Sequence, residues 1–380
     1  MKKILIIHNE YQKFGGEDSV ANQEIKLLSD SFDVRTLKFS NSNNLLINFF
    51  NLVFSKSNPI SYFKTMKILN SFKPDIAYIH NTWFTASNSI FNALRKKNID
   101  TLIKIHNFRV DCLNGIHFRE NNICHKCNSQ NRFMGIFYRC YKNSFIYSFI
   151  ISRYSKKFYQ SLKFKNIKKI LVLSNFHKEY FENLGFHTEK IEVLNNSVKS
   201  PVLINEKPSE SKNVVFVGRI SQEKGIIELL NVWKEIDEYE LKIIGDGPLY
   251  TSLKTENKKS NIKFLGFLSQ KEIYAELSSA RALVFPTKLY EGQGMVPSEA
   301  SIIGLPVISP NLGGMKQLFP RNNYFMYDSS DLNDFKNKIH LLKNNNYVDE
   351  QGLSNRKYTL SKFAEQSNNI NILNLFNNLN

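Results

Sequence analysis

The chain has 380 residues, and at about 100–200 residues per domain this predicts two domains. With 42% hydrophobic residues each half can bury a core, which argues against a disordered tail protein or a small scaffold held by staples. The net charge of +17 is lopsided: residues 1–200 hold 30 Lys+Arg against 14 Asp+Glu, whereas residues 201–380 hold 21 against 20. Two halves with such different electrostatics predict different partners.

The N-terminal MKKILIIHNEY has no long apolar region or small-residue cleavage site, so it reads as a first strand rather than a secretory signal. LLINFFNLVF (45–54) is oily but well short of the roughly 18 apolar residues that a membrane span needs. Both features predict a cytoplasmic protein. Short apolar runs at 3–9, 75–81, 101–107 and 169–175 read as buried parallel strands, with helical patterns between them such as 19–32. The style repeats at 213–219, 240–247, 261–267, 280–287 and 305–310. The Asn-, Ser- and Pro-rich stretch 193–213 reads as a linker. The expected fold is therefore α/β, with two doubly wound, Rossmann-like parallel-sheet domains, 1–200 and 201–380, facing a central cleft. The Asn-rich tail reads as a final helix, about 355–380, and is a candidate for packing back on the first domain.

The block 132–169 carries ten Lys/Arg and no acid, interleaved with Phe, Tyr and Ile. Such a surface suits anionic lipid headgroups, and equally a solvated helix face. Nucleic acid ranks third, because no recognised nucleic-acid motif accompanies the charge. If lipid is the partner, Phe145, Tyr147, Phe149 and Tyr159 would reach headgroup depth, beside Lys156, Lys157, Lys163 and Lys165.

Chemistry concentrates in the second half. LYEGQGMVPSEASIIGLPVISPNLGG (289–314) places Glu291 before Gly292 and Gly294, then Met295, and puts Glu299 in a helical pattern. A glycine-rich loop opening a helix offers N–H groups to an anion, and a carboxylate beyond it can accept bonds from a ribose diol. Alone, it is equally a solvent loop with a helix-capping Glu. VVFVGRISQEKG (214–225) adds Gly218, Arg219 and Lys224 straight after a strand, two cations that suit a diphosphate or a surface ion pair. IIGDGP (243–248) supplies Gly245 in a further strand-end turn, and NIKFLGF supplies Phe267.

In this order GRISQEKG, IGDGP, FLGFLSQKEI, FPTKLYEGQGMVPSEA and GLPVISPNLGG (about 213–314) resemble the nucleotide-sugar domain of retaining GT-B glycosyltransferases of the family 4 kind. The resemblance implies that Arg219 and Lys224 hold the donor diphosphate and Glu299 the ribose. It implies that Glu291 and the backbone of 292–295 hold the sugar, and that the segment at Phe267 receives the base. More loosely, it assigns Gly15 and Gly16 of FGGEDSV to a phosphate-cradling loop, and His106 of IKIHNF to the side of the transferred sugar. Taken alone, His106 reads as a structural histidine. Gln293 stands where the family often has Phe, Pro297 where an aliphatic is more usual, and Gln317 where an acid is usual.

The four cysteines, Cys112, Cys124, Cys127 and Cys140, lie within thirty residues in an insertion at about 108–142. In a cytosolic chain they favour a structural Zn²⁺ over disulfides, with four reduced thiols as the alternative. A subset of similar sugar transferases carries the same HN-R-C-NG-FR-C-x-x-C-CY arrangement.

The expected function is retaining transfer of a sugar from a nucleotide-sugar donor, UDP preferred over GDP, with no catalytic metal. The acceptor would be a lipid-linked glycan or oligosaccharide of O-antigen, capsule or other exopolysaccharide synthesis. The enzyme would sit peripherally on the inner face of the cytoplasmic membrane and would not engage nucleic acid. The competing readings are a zinc-containing nucleic-acid-binding protein and a GT-B-fold phosphorylase or epimerase.

Overall fold

The protein is described by a computed structural model that covers residues 1–12, 15–127, 131–199 and 203–379. Phe14 of the FGGEDSV motif and part of the expected linker, 200–202, lie outside the described residues. Two compact units are present. The first comprises 1–119, 124–194 and 371–380; the second comprises 120–123 and 195–370.

The first unit is built on strands β1 (Lys3–Glu10), β2 (Asp33–Ser40), β3 (Ile76–Asn81) and β4 (Asp100–Lys104). The two-residue strand β5 (Phe118–Arg119) lies in the cysteine-bearing insertion, as does β6 (Asn122–Ile123), which falls to the second unit; β7 (Ile167–Val172) and β8 (Ile191–Val193) then complete the first sheet. That sheet runs β2-β1-β3-β4-β7-β8, all parallel. Its helices are α1 (Gly16–Ser29), α2 (Leu45–Val53), α3 (Pro59–Phe72), α4 (Ser89–Lys96), α5 (Phe133–Phe137), α6 (Phe145–Ser161) and α7 (Asn175–Asn183).

The second sheet orders β11 (Ile262–Gly266), β10 (Glu240–Ile244), β9 (Asn213–Val217), β12 (Ala282–Val284), β13 (Val307–Pro310) and β14 (Met326–Tyr327), again all parallel. With it come α8 (Ile226–Trp233), α9 (Tyr250–Glu256), α10 (Gln270–Ser278), α11 (Met295–Ile303), α12 (Leu332–His340) and α13 (Asn345–Phe363), while α14 (Glu365–Asn378) belongs to the first unit from Asn371 onward. The two doubly wound sheets follow as expected from strands that alternate with helices.

Each sheet is buried on both faces, and the period of two along its strands sorts the side chains between two cores. Leu5, Ile7, Ala77 and Ile79 enter one core of the first unit, and their neighbours Ile4, Ile6, Ile76 and Tyr78 enter the other. In the second unit Val214 and Phe216 face one way, Val215 and Val217 the other.

The boundary falls at Leu194/Asn195 rather than at 200. Asn196 and Val198 are buried in the second unit, where Val198 bridges Ala364 and bonds the Phe363 carbonyl. The expected single tail helix is two helices broken at Ala364. Ile372, Leu375 and Phe376 of the second are buried beside Ile4, Ile6, Phe32 and Tyr78 of the first unit. No helix among the described residues is long and apolar enough to cross a membrane.

Within the basic block, the helical period divides the aromatics. Phe145 and Phe149 stay exposed on α6. Tyr147 packs edge-on against Phe49, and Tyr159 packs on Phe186 while its hydroxyl donates to the Leu184 carbonyl (2.9 Å). Two residues along the helix from Phe145, Tyr147 turns away from it toward α2, whereas Tyr159 shares the side of Phe145 and Phe149 by the helical period and is drawn down by its contacts with Phe186 and Leu184.

Candidate nucleotide-sugar site and the strand-end polar groups

In the second unit the turns after β9, β10, β12 and β13 meet backbone to backbone. Gly245 (φ +135°) sits so close to Gly218 that a Cβ would fall 1.9 Å from the Gly218 carbonyl oxygen. Gly225 (φ +71°) meets the Pro286 carbonyl equally closely, and neither position tolerates a side chain. The Gly314 N–H donates to the Glu291 carbonyl (2.9 Å), closing the acidic loop onto the GG turn. Gly292, Gln293 and Gly294 are buried, and Gly294 caps α11 with no side-chain bond to its first turn. The helix therefore presents open N–H groups and its positive end at this place. Pro297 falls at its third residue, where no intrahelical acceptor exists for a missing N–H.

Lys224 Nζ lies 2.6 Å from Glu291 Oε1, both half-buried, and Thr287 Oγ1 donates to the same oxygen (3.2 Å). Arg219 is exposed at the end of β9. Glu299, four residues into α11, accepts two long bonds of 3.4 Å, from Gln270 Nε2 and the Tyr274 hydroxyl. Burial pushes its carboxyl up to about 7, against the lowering effect of those two donors. Gln270 and Tyr274 follow shortly after Phe267, whose ring is 83% exposed. The predicted residues thus form two groups: Arg219, Lys224 and Glu291 at the centre of the sheet, and Phe267 with Glu299 toward its β11 edge. Thr287, Gln270 and Tyr274 escaped sequence reasoning, since single hydroxyls and amides carry no spacing signal.

Gln293 has a role of its own. It accepts from the Asn196 N–H (2.6 Å) and donates to the Asn196 carbonyl (3.0 Å), so it ties down the start of the second unit. Gln317 ends a short 3₁₀ turn, and its carbonyl accepts from the Tyr358 hydroxyl.

In the first unit, Gly15 caps α1 and donates its N–H to Asp18 (2.9 Å); Asp18 also bonds His8 Nε2 (2.8 Å). Gly16 faces open space, and the first turn that follows carries Glu17 and Asp18, two acids at the end expected to cradle phosphate. Glu17 is bonded by Tyr11 and Asn107. His106 stacks on His80 (5.8 Å between centroids, 18° between planes), and its Nε2 is enclosed without a partner. Burial, reinforced by the Lys104 ammonium and by His80, holds His106 well below the usual imidazole range, so it is neutral. Beneath it Glu24 binds Lys104 (2.6 Å) and Tyr78 (2.6 Å), all buried in the sheet.

The four cysteines are free and line one small cavity of about 20 Å³ with Leu113, Asn114 and His117. Burial pushes the Cys112, Cys127 and Cys140 thiols up to about 11. As placed, no three His, Cys, Asp or Glu side chains among the described residues are set to hold a metal ion.

Comparison with known proteins agrees with this architecture. Residues 203–359 match the family described as glycosyl transferases group 1. An uncharacterized glycosyltransferase of Methanocaldococcus jannaschii is 31% identical over 52% of this chain and 56% of its own length. The 2-deoxystreptamine N-acetyl-D-glucosaminyltransferase of Niallia circulans is 27% identical over 58% and 62%. The chain thus spans little more than half the length of these relatives. Among solved structures, sucrose-phosphate synthase from Thermosynechococcus elongatus superposes with a TM-score of 0.74 at 15% identity, over 99% of this chain and 98% of that one. The lipopolysaccharide outer core galactosyltransferase WaaB gives 0.67 at 17%, over 99% and 100%. Anabaena HepE in complex with UDP gives 0.66 at 14%, over the whole of both chains. The chain has the two-domain α/β fold of the GT-B glycosyltransferases, and its residues 203–359 carry the glycosyl transferases group 1 pattern.

Proposed function

We propose that the protein is a retaining glycosyltransferase that moves a sugar from a nucleotide-sugar donor, UDP-linked by preference, to a hydroxyl of a lipid-linked glycan in surface-polysaccharide synthesis. The observation that carries this is the convergence of Lys224, Glu291 and the uncapped start of α11 at the carboxyl ends of the second sheet. The UDP bound in the HepE complex and WaaB's action as a lipopolysaccharide outer core galactosyltransferase support the donor and acceptor classes.

In this reading Arg219 and Lys224 neutralise the diphosphate as charge develops on it, so no metal is required there. Glu291, held by Lys224, receives sugar hydroxyls beside the N–H groups of 292–295. Glu299 receives the ribose diol, and the main chain at Phe267 the base. The first unit is the acceptor half, to which Gly15, Gly16 and neutral His106 belong. Among the described residues no carboxylate stands out as a nucleophile for a double displacement, which favours attack from the leaving-group side. The test is a panel of UDP- and GDP-sugars with a lipid-linked acceptor, read by mass spectrometry, with the product anomer assigned by NMR. Transfer with retained configuration is expected; nucleotide-independent hydrolysis or phosphorolysis contradicts it.

For the insertion, we infer a structural Zn²⁺ held by Cys112, Cys124, Cys127 and Cys140. The shared cavity supports it, because a tetrahedral ion needs four thiolates around one small space. The raised thiols would ionise on binding, releasing protons. About one Zn²⁺ per chain, lost in Cys124→Ser, is expected from elemental analysis; metal-free protein with four freely titrating thiols overturns it.

A further inference from the structure

α2 is an unusual element for a protein surface. Its nine residues, LLINFFNLV, bury only Leu52. Leu45 is 83% exposed, Leu46 81% and Phe50 53%, and Ile47, Phe49 and Val53 are also exposed. The patch continues onto α6, because Phe49 meets Tyr147 at 6.0 Å and Phe145, Ile146 and Phe149 stand exposed on that helix. Exposed apolar side chains scattered singly are ordinary, but a contiguous apolar surface of this kind marks an interaction site.

What surrounds the patch identifies its occupant. Lys142 lies over the Tyr147 ring (5.3 Å) and Arg153 over Phe149 (6.0 Å), so cations stand directly against its aromatic members. Lys56 follows α2 at once in the chain, and with Arg95 it lies near enough to Lys157 to depress that ammonium, after burial. Between Asp33 and Asp75, and again between Glu120 and Glu179, the sequence contains no acid at all. A protein partner would leave these like charges to be matched by scattered carboxylates. A bilayer offers a hydrocarbon boundary for the patch and a continuous sheet of anionic headgroups for its rim.

We propose that α2, with the exposed start of α6, inserts into the headgroup–acyl boundary of an anionic membrane and anchors the first unit there. This goes further than attraction by the basic block, which alone would be screened away by salt. It rests on the proposed lipid-linked acceptor for its purpose, since such an acceptor is confined to a membrane surface. A helix of nine residues is too short to span the bilayer but long enough to lie in its surface.

The test uses the full chain with vesicles of phosphatidylcholine alone or with phosphatidylglycerol. The parent should float with the anionic vesicles and stay partly bound at high salt. Leu46→Ser with Phe50→Ser should weaken the partition by about tenfold or more, which is the scale expected for withdrawing two large apolar side chains from lipid. Both residues are exposed, so thermal unfolding should not change. A separate Phe50→Trp variant should show added fluorescence quenching by brominated lipids relative to the parent. Undiminished binding of the double variant, or no added quenching at position 50, overturns insertion. So does a parent that ignores vesicles but forms a dimer that the double variant breaks, which would assign the patch to self-association. UDP binding measured on the same samples reports on the transfer reading alone, so the two ideas fail separately.

Discussion

The carboxyl ends of the two sheets carry polar chemistry built in opposite ways. In the second unit the strand-end turns close onto one another through glycine backbone, and their charged groups, Arg219, Lys224 and Glu291, remain partly in solvent. In the first unit the charges lie inside: Glu24 and Lys104 form a buried pair that also engages Tyr78, and His80 and His106 stack above it as neutral rings. One end leaves its ionisable groups open to solvent, at little cost to the fold. The other ties its ionisable groups into the fold itself, because a buried charge without its partner is expensive.

The largest effect should follow from breaking the buried pair. Glu24→Ala leaves Lys104 uncompensated and should cost about 3–5 kcal/mol in urea unfolding. Glu24→Leu combined with Lys104→Met should recover much of that loss, because the pair's desolvation is removed along with its attraction. A single variant as stable as the parent would show that this interior is more hydrated than described.

The cations that reach solvent should behave in the reverse sense. Arg219→Ala and Lys224→Ala each remove charge-assisted bonds worth about 1.5–3 kcal/mol to a diphosphate, so activity should fall roughly 10–100-fold. Their unfolding curves should stay within about 0.5 kcal/mol of the parent. Full turnover in both variants would remove the diphosphate from this place.

A smaller effect tests whether Gln293 belongs to the fold or to the ligand. Gln293→Ala leaves the buried Asn196 N–H unpaired and should cost about 1–3 kcal/mol of stability. Gln293→Phe, the commoner residue in the resembling family, should not restore it. Stability unchanged in Gln293→Ala, with donor binding lost, would reverse that assignment.

The last effect is a pH dependence. Burial raises the folded-state carboxyl of Glu299 above its ordinary value, to about 7. The stability linked to its neutral form is therefore fully present below about pH 4.5 and is lost as pH rises through about 7. The parent should lose stability relative to Glu299→Gln over that interval. Nucleotide binding should move the other way and strengthen as the carboxylate forms to accept ribose hydroxyls. A difference that stays flat from pH 5 to 8 would mean the carboxyl is solvated.

Much of the second unit was legible because its signals are local. Runs such as VVFV and LKII announce strands, and Gly218, Gly245 and Gly292 mark where the backbone must turn or touch. The interior of the first unit was not legible, because Glu24 and Lys104 meet only through the fold, eighty residues apart in sequence. Lys104 inside the apolar run TLIKI was the one available hint. The exposure of α2 was not legible either, because its oily run is too short for a membrane span and its spacing does not tell a buried helix from an exposed one. Tyr147 lies away from Phe145 and Phe149 by the helical period over 145–161, whereas Tyr159 shares their side, and only its tertiary contacts with Phe186 and the Leu184 carbonyl, which no sequence pattern announces, turn it inward.

In the proposed reading the second unit holds a nucleoside diphosphate through Arg219, Lys224 and Glu299. Isothermal titration of UDP and of GDP into the full chain, repeated with Glu299→Ala, tests it most directly. One site per chain is expected, with UDP preferred, and affinity about tenfold or more lower in the variant. No binding of either nucleotide, or equal affinity in parent and Glu299→Ala, would contradict it.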